Sequence, residues 1–319
     1  MRKIISIDVG FGSTKVVFNE GSSLRQEKFP TAIAPIPSSN HFNNNFYKED
    51  KHFHFEGQLY IVGEAAKADA IVTTSYEFLY KYSPLILYYI IEKYNIDYSN
   101  AVFALGLPLS YYINDKINEI SNRLKNFTVN DIEISIDVKM LVQGVGCLFD
   151  YLSTNQSNVK NGIVVDIGYN TIEFIVIQNG KVKKADSRGL VKKGMNMLIV
   201  KLQQEIQSKY DLELTEHEAV SALENESINL YGKKIQLKED ISKLKKWYTD
   251  TVIQNLIGMY DDKIKKSDII IVAGGGAYHL KDYLPERYSN ITYIPAYSEF
   301  SNARGFFYIM QNQINSKGQ

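Results

Sequence analysis

One cysteine in 319 residues is the first shortage, and it excludes an internal disulfide. Cys147 reads as a small buried apolar residue, in a chain suited to a reducing cytoplasm. Net charge is the second shortage, because 36 Lys and Arg balance 36 Asp and Glu. No general field then draws the chain to nucleic acid or to an anionic membrane, so any link to DNA is expected to run through a partner. Long apolar runs are missing too. The longest cluster, residues 84–91, falls well short of the roughly 20 residues that cross a bilayer. Arg2 and Lys3 imitate the start of a secretion signal, but Asp8 interrupts the apolar run too early. These gaps predict a soluble, cytoplasmic protein, long enough for two domains with a core each.

What the chain does hold is organised around residues 163–176. A β-branched run stops at Asp166 and Gly168 and resumes at Thr171, which reads as strand, tight turn and strand. An acid at the end of a buried strand is costly there without a cation or donors, so Asp166 is expected to face a hydrated metal or a reacting water. Gly168, Asn170 and Thr171 are expected to offer backbone N–H groups and a hydroxyl to an anion. The pattern occurs a second time near the N-terminus, where Ile5, Ile7, Asp8 and Gly10 match Ile163, Val165, Asp166 and Gly168 one for one. In this first copy Gly10 and Gly12 permit positive φ and close approach to phosphate, and Ser13 and Thr14 add hydroxyls. Lys15 is the point charge such a loop needs, the bland alternative being a solvated lysine in a β-turn.

Along the chain, residues 24–45 read as irregular, and strands at 52–55 and 58–62 suggest a small β-rich insertion. Helices at 76–93 and 115–126 flank a buried strand at 102–107. Residues 131–142 alternate as one strand and stop at Gln143, where a helix begins with Gly144 and Gly146. Gln143 is placed either to orient a water or as a surface glutamine at a helix start. Beyond the central hairpin come a helix at 195–209, a capping box of Thr215 and Glu218, and a short hairpin of 226–230 with 234–238. A long helix follows, striped by Ile241, Leu244, Tyr248, Val252, Leu256 and Met259. The last strand, 268–272, ends at Gly274, Gly275 and Gly276 before a helix at 279–283. That arrangement leaves room for a nucleotide's sugar and α-phosphate beside a helix N-terminus. A C-terminal helix over 303–311 carries Gly305 at an expected close crossing, and the polar tail 312–319 is expected to fray.

Taken in order, these motifs resemble the signature of the superfamily of actin, the sugar kinases and the heat-shock chaperone ATPases. Within it the chain is most similar to the ParM or StbA plasmid-partition actins, to which the stretches 106–112 and 301–305 add. The resemblance implies an α/β, duplicated actin-like (ribonuclease-H-like) fold with two domains around a central nucleotide cleft. Domain I would be 1–142 plus 303–319, with an insertion at about 24–75. Domain II would be 143–302, with an insertion at about 210–262. It implies an ATPase that polymerises into polar head-to-tail filaments and segregates plasmid DNA through a ParR-type adaptor.

Carried over by position, Asp8 and Asp166 would hold Mg²⁺ through water. Gly10, Gly12, Ser13, Thr14 and Lys15 would grip the β and γ phosphates of ATP, with Gly168, Asn170 and Thr171 as the second grip. Gln143 would position the attacking water alongside Asp166, and Gly274, Gly275 and Gly276 would take the adenosine side. GTP is the alternative nucleotide. Tyr169 and Asn170 stand where relatives often have glycines, and Asn tolerates the left-handed conformation. The adenine pocket is expected along 188–193 and 215–222, without a motif. Rival readings are a small-molecule kinase with Asp166 as base, a non-plasmid bacterial cytoskeletal actin, and a scaffold that has lost hydrolysis.

Overall fold

The computed structural model describes residues 2–21, 23–36, 51–71 and 75–317. The chain divides into two compact units, residues 1–156 with 300–319, and residues 157–299. Residues 143–156 and 300–302 therefore lie with the first unit.

The first unit opens as two branched-residue strands, β1 (Lys3–Val9) and β2 (Ser13–Glu20), paired antiparallel with Asp8 opposite Lys15. β3 (Ser23–Pro30) extends the sheet along all of β2. Short strands β4 (Ile33–Pro35), β5 (Phe53–Phe55) and β6 (Gln58–Val62) form a separate three-stranded sheet. Helix α1 (Tyr76–Lys93) starts at Ser75, whose hydroxyl accepts the Phe78 N–H, and it buries most of its circumference. Every residue of β7 (Ala101–Leu107) is buried, as suits an inner parallel strand covered on both faces. After α2 (Asn114–Lys125) come the hairpin of β8 (Asn126–Val129) and β9 (Ile132–Ser135), then β10 (Asp137–Val142) and α3 (Val145–Asn155). The main sheet runs β10-β7-β1-β2-β3, with β1, β7 and β10 parallel.

The second unit repeats this plan. β11 (Gly162–Ile167) and β12 (Thr171–Gln178) form the hairpin, with Asp166 opposite Glu173. β13 (Lys181–Val182) and β14 (Arg188–Val191) both pair with the far side of β12. Helices α4 (Asn196–Tyr210) and α5 (Glu216–Asn225) follow, then the hairpin of β15 (Ser227–Leu230) and β16 (Lys233–Gln236), and the long α6 (Lys238–Ile264). β17 (Ile269–Ala273), α7 (Glu286–Ser289) and β18 (Thr292–Tyr293) complete it, β17 parallel to β11 and β18 parallel to β17. Outward from the hairpin both sheets read antiparallel strand, hairpin, parallel strand, parallel strand. The duplication expected from the two matched hairpins is thus present in the topology.

Helix α8 (Ser301–Lys317) returns to the first unit. Its Ala303, Phe306, Phe307 and Met310 pack on Ile4, Val17, Val102 and Ala104 of that sheet, each apolar side chain contributing about 1.5–3 kcal/mol if fully buried. α8 crosses α3 at two glycines: a Cβ on Gly305 would sit 1.7 Å from the Gly146 carbonyl oxygen. The close crossing expected at Gly305 is real, and Gly146 is its other half. In the second unit the buried faces of β11 and β12 pack on Leu198, Ile199, Leu202, Tyr248 and Val252.

Five sequence expectations change. Residues 24–30 and 33–35 are strand rather than irregular, β3 reading poorly because its exposed positions are polar; residues 37–45 lie outside the described residues. The single strand expected at 131–142 is two, β9 and β10, in different sheets. On α6 the stripe holds from Ile241 to Leu256, but Tyr260 continues it while Met259 is 37% exposed, and the backbone leaves helical geometry at Tyr260. Residues 279–283 form 3-10 turns, not an α-helix. The C-terminal helix runs on to Lys317 rather than fraying after 311. Among the described residues no helix is long and apolar enough to cross a membrane.

Candidate functional site

In the first hairpin Asp8 sits one residue from the end of β1 and is 5% exposed. Burial pushes its carboxyl above the ordinary range, while Lys15 and a hydrogen bond from Gln143 pull it back. The Gln143 Nε2 donates to Asp8 Oδ1 at 2.6 Å, and the Lys15 Nζ donates to the Ser13 carbonyl at 3.0 Å. Gln143 is buried, so it is not a surface residue at a helix start. Its N–H donates to the Leu107 carbonyl at 2.9 Å, carrying the β10–β7 ladder one residue further. Gly144 then turns the chain with φ 76°, and its N–H donates to Asn302 Oδ1 at 2.8 Å, so a side chain of α8 holds the start of α3.

Strand alternation puts Ser13 and Lys15 on the face of Asp8, and Thr14 on the other. Thr14 is buried with its hydroxyl 2.8 Å from that of Thr31, so it braces the turn from behind instead of offering a donor at the surface. Gly10 does not use a left-handed conformation. It is required because a Cβ would lie 2.8 Å from the Ser13 carbonyl oxygen. Gly12 is exposed at the tip.

The second hairpin differs at the matching register. Asp166, 6% exposed, stands directly across from Glu173, 1% exposed, where the first hairpin has Lys15. Two carboxylates opposite one another on one sheet face repel unless a proton or cation lies with them. Glu173 escaped the sequence reading, although counting alternation outward from Gly168 finds it. The Gly168 N–H is engaged by the Thr171 carbonyl at 2.9 Å, so it closes the turn rather than facing an anion. The Gly168 and Tyr169 carbonyls accept the Met195 and Asn196 N–H groups at 3.0 and 2.7 Å, which satisfies donors at the start of α4. That contact needs Gly194, where a Cβ would meet the Gly168 oxygen at 2.5 Å. Asn170 is buried and is not left-handed, so the turn tolerates it for a different reason than expected. Burial, with Glu216 beside it, pushes the Tyr169 phenol up.

The three glycines after β17 do unequal work. Gly274 has φ 83°, and a Cβ there would meet the Ile167 carbonyl oxygen at 2.4 Å and Asp166 Oδ1 at 2.6 Å. A Cβ on Gly276 would meet Ile167 Cγ2 at 2.2 Å. Both let the loop pass over the end of β11, and only Gly275 faces open space, its nearest atom 4.0 Å away on Glu299. Ser298 holds the loop from both sides of Gly274, accepting its N–H at 3.0 Å through the carbonyl and donating from Oγ to its carbonyl at 2.9 Å. Because the next segment is 3-10, the helix N-terminus expected beside these glycines is absent. Burial and the Glu299 carboxylate push the Tyr278 phenol up to about 12, and burial together with Lys245 holds His279 down to about 4, neutral at pH 7.

Among the described residues no group of three His, Cys, Asp or Glu side chains forms a metal cage. Mg²⁺ keeps several waters and takes its remaining ligands from one or two carboxylates and phosphate, so a pair such as Asp166 and Glu173 fits it without a cage. Cavities among the described residues lie elsewhere. One of about 550 Å³ is lined by Gly162, Ile177 and Tyr260, at the end of β11 away from the turn. One of about 570 Å³ lies beside His54, Glu119 and Arg123.

Two family models match the chain: actin like proteins N terminal domain over residues 6–146, and archaeal actin homologue MreB-like, C-terminal, over 164–286. Among solved structures it is similar to an archaeal actin homologue, at 20% identity and a TM-score of 0.79 over 98% of this chain and 100% of that one. It is similar to the ParM of a 15-stranded filament from Clostridium botulinum, at 20% identity and 0.75 over 98% and 99%. A third is Bacillus thuringiensis ParM with AMPPNP, at 16% identity and 0.67 over 99% of each chain. No curated protein matches it by sequence. Two matched domains, a duplicated sheet topology and a likeness along nearly the whole chain together make this an actin-like protein by fold.

Proposed function

We propose that the chain binds Mg²⁺ with ATP, GTP being the alternative, and couples hydrolysis to polar head-to-tail self-assembly that moves plasmid DNA through a ParR-type adaptor in the cytoplasm. The observation that carries this reading is a pair of sister hairpins on an actin-like fold, each ending its first strand in a buried acid, Asp8 and Asp166. Support comes from relatives that carry nucleotide or form filaments: an archaeal homologue with ADP, a ParM with AMPPNP and a ParM filament.

In this reading Lys15, with the backbone at Gly10, Gly12 and Ser13, meets the β and γ phosphates. Asp8 and Asp166, with Glu173 opposite the latter, would hold the hydrated ion, whose chemistry there would be to neutralise charge on the phosphoryl oxygens. The amide of Gln143 positions the attacking water, Asn170 and Thr171 shape the second grip, and Gly275 offers bare backbone toward the adenosine with Gly274 and Gly276 bracing it. Phosphoryl transfer to water is mostly positioning and charge neutralisation, so these few groups suffice. A nucleotide that favours one of two conformational states, with self-association open to that state alone, links hydrolysis to assembly. A head-to-tail contact that does not close into a ring makes a filament.

Electron micrographs and sedimentation of the purified protein with and without Mg-ATP test this. Filaments that need Mg-ATP and disassemble as phosphate is released are expected. An ATPase that stays soluble and turns over only with a sugar or acid co-substrate would replace it by the kinase reading, for which Asp166, facing Glu173, is the available base. Filaments unaffected by an adaptor and its DNA would leave a cytoskeletal actin without plasmid cargo.

A further inference from the structure

Gln143 and Asp8 are 135 residues apart and leave the sheet from strands that are not neighbours, since β7 lies between β10 and β1. The residue between them is Gly106. Ile7 pairs with Leu105, so one step further along the ladder Asp8 comes abreast of Gly106, and on the other side Gly106 pairs with Leu141, two residues before Gln143. Residues abreast on parallel strands point to the same face, as do residues two apart on one strand. The side chain of Gln143 therefore crosses the position where residue 106 has none. A Cβ at Gly106 would lie 3.1 Å from Gln143 Cγ, and 2.5 and 2.7 Å from two ring carbons of Phe306 on α8.

We infer that Gly106 is a positioning residue: the space above it lets the Gln143 amide reach Asp8, and Asp8 then fixes which end of that amide faces the reacting water. The chemistry dictates the orientation. An ionised carboxylate only accepts hydrogen bonds, so the group 2.6 Å from Asp8 Oδ1 is the NH₂ end of the amide. The carbonyl oxygen of Gln143 is then the end left to accept a hydrogen from water. A water that donates there turns its lone pair to another direction, which is the requirement for attack on phosphorus. Asn302, which accepts the Gly144 N–H from α8, steadies the backbone that carries Gln143. This inference rests on the proposed hydrolysis for its consequence, and on the packing alone for its geometry.

The test separates the two clashes an added methyl would make. Gly106→Ala is compared with Phe306→Leu, which frees the space on the α8 side, and with the double variant Gly106→Ala/Phe306→Leu, in which only the contact with Gln143 Cγ remains. Two readouts are taken on the full chain. The first is the side-chain amide resonance of Gln143 in ¹⁵N-glutamine-labelled protein, assigned as the signal missing from Gln143→Met. The second is steady-state ATP hydrolysis, with kcat and KM resolved.

In Phe306→Leu the amide is expected to keep the downfield shift of a proton bound to carboxylate, with kcat near that of the natural chain. In the double variant the shift is expected to collapse, and kcat to fall by about 10²-fold at nearly constant KM, the scale set by misplacing a reacting group by about 1 Å. An amide resonance in the double variant that matches Phe306→Leu alone would overturn the inference, whatever the hydrolysis does. So would a double variant that loses nucleotide affinity with kcat unchanged. A natural chain that shows the shifted resonance and no hydrolysis would instead overturn the reading of the site, leaving the packing argument standing.

Discussion

The two hairpins share a backbone plan and differ at one cross-strand position. In the first, Asp8 faces Lys15; in the second, Asp166 faces Glu173. In the first hairpin burial raises the acid, and a lysine and the Gln143 amide offset part of that cost. The second places two buried carboxylates opposite one another on one face, where a proton or a cation relieves their repulsion. Gene-duplication symmetry in the sheet thus coexists with a different charge at the matching position, a lysine opposite the acid in one hairpin and a second acid opposite it in the other.

The largest effect expected is on chemistry. Asp166→Ala should leave the fold intact by circular dichroism and slow phosphate release by roughly 10² or more, as expected for a lost transition-state contact. Unchanged release would remove Asp166 from the mechanism. Next, Glu173→Lys gives the second hairpin the Asp–Lys arrangement of the first. The Mg²⁺ concentration needed for nucleotide binding should rise about 10- to 100-fold, the range seen when groups supporting a metal are lost. A titration that shows the same Mg²⁺ requirement would place the ion elsewhere and erase the contrast.

A smaller effect concerns stability against pH. The folded-state pKa of Asp8 lies above its ordinary 3.8. The stability it contributes is therefore fully present below 3.8 and is lost as pH rises through the folded value. Asp8→Asn removes that loss, so the nucleotide-free variant should show a higher urea midpoint than the natural chain at pH 7, the gap closing as pH falls toward 3.8. A gap that stays constant with pH would mean that burial of the charge is not the cause. Least of all, Thr14→Val should cost about 1 kcal/mol of stability through loss of the bond to Thr31, with nucleotide affinity unchanged. A drop in affinity by calorimetry would return Thr14 to the phosphate-facing side.

Much of this was legible because it is local. Alternating and β-branched residues marked β1, β11 and β12, and the bounds of α1 matched the expected 76–93 to the residue. β3 was not legible, since Arg25, Glu27 and Lys28 resemble a loop until β2 is seen to pair with them. The break between β9 and β10 was not legible, because Ile136 between them is buried and continues the alternation of Ile132, Ile134 and Val138. The motifs placed Asp8, Lys15, Asp166 and Gly274 on the turns and loop where the structure has them. Thr14 and Gly276 were assigned outward when packing turns them inward, because a motif specifies residue types and not the face each one takes.

By itself the sequence determined the two acid-bearing turns, because the spacing from strand to acid to glycine is short enough for backbone preference and burial to settle without the rest of the chain. Tertiary structure alone decided that Gln143 reaches Asp8 across Gly106 and that Gly146 meets Gly305. Each of these depends on which strands or helices become neighbours, and neighbours are chosen by the burial of whole sheet and helix faces, which no single stretch of residues encodes.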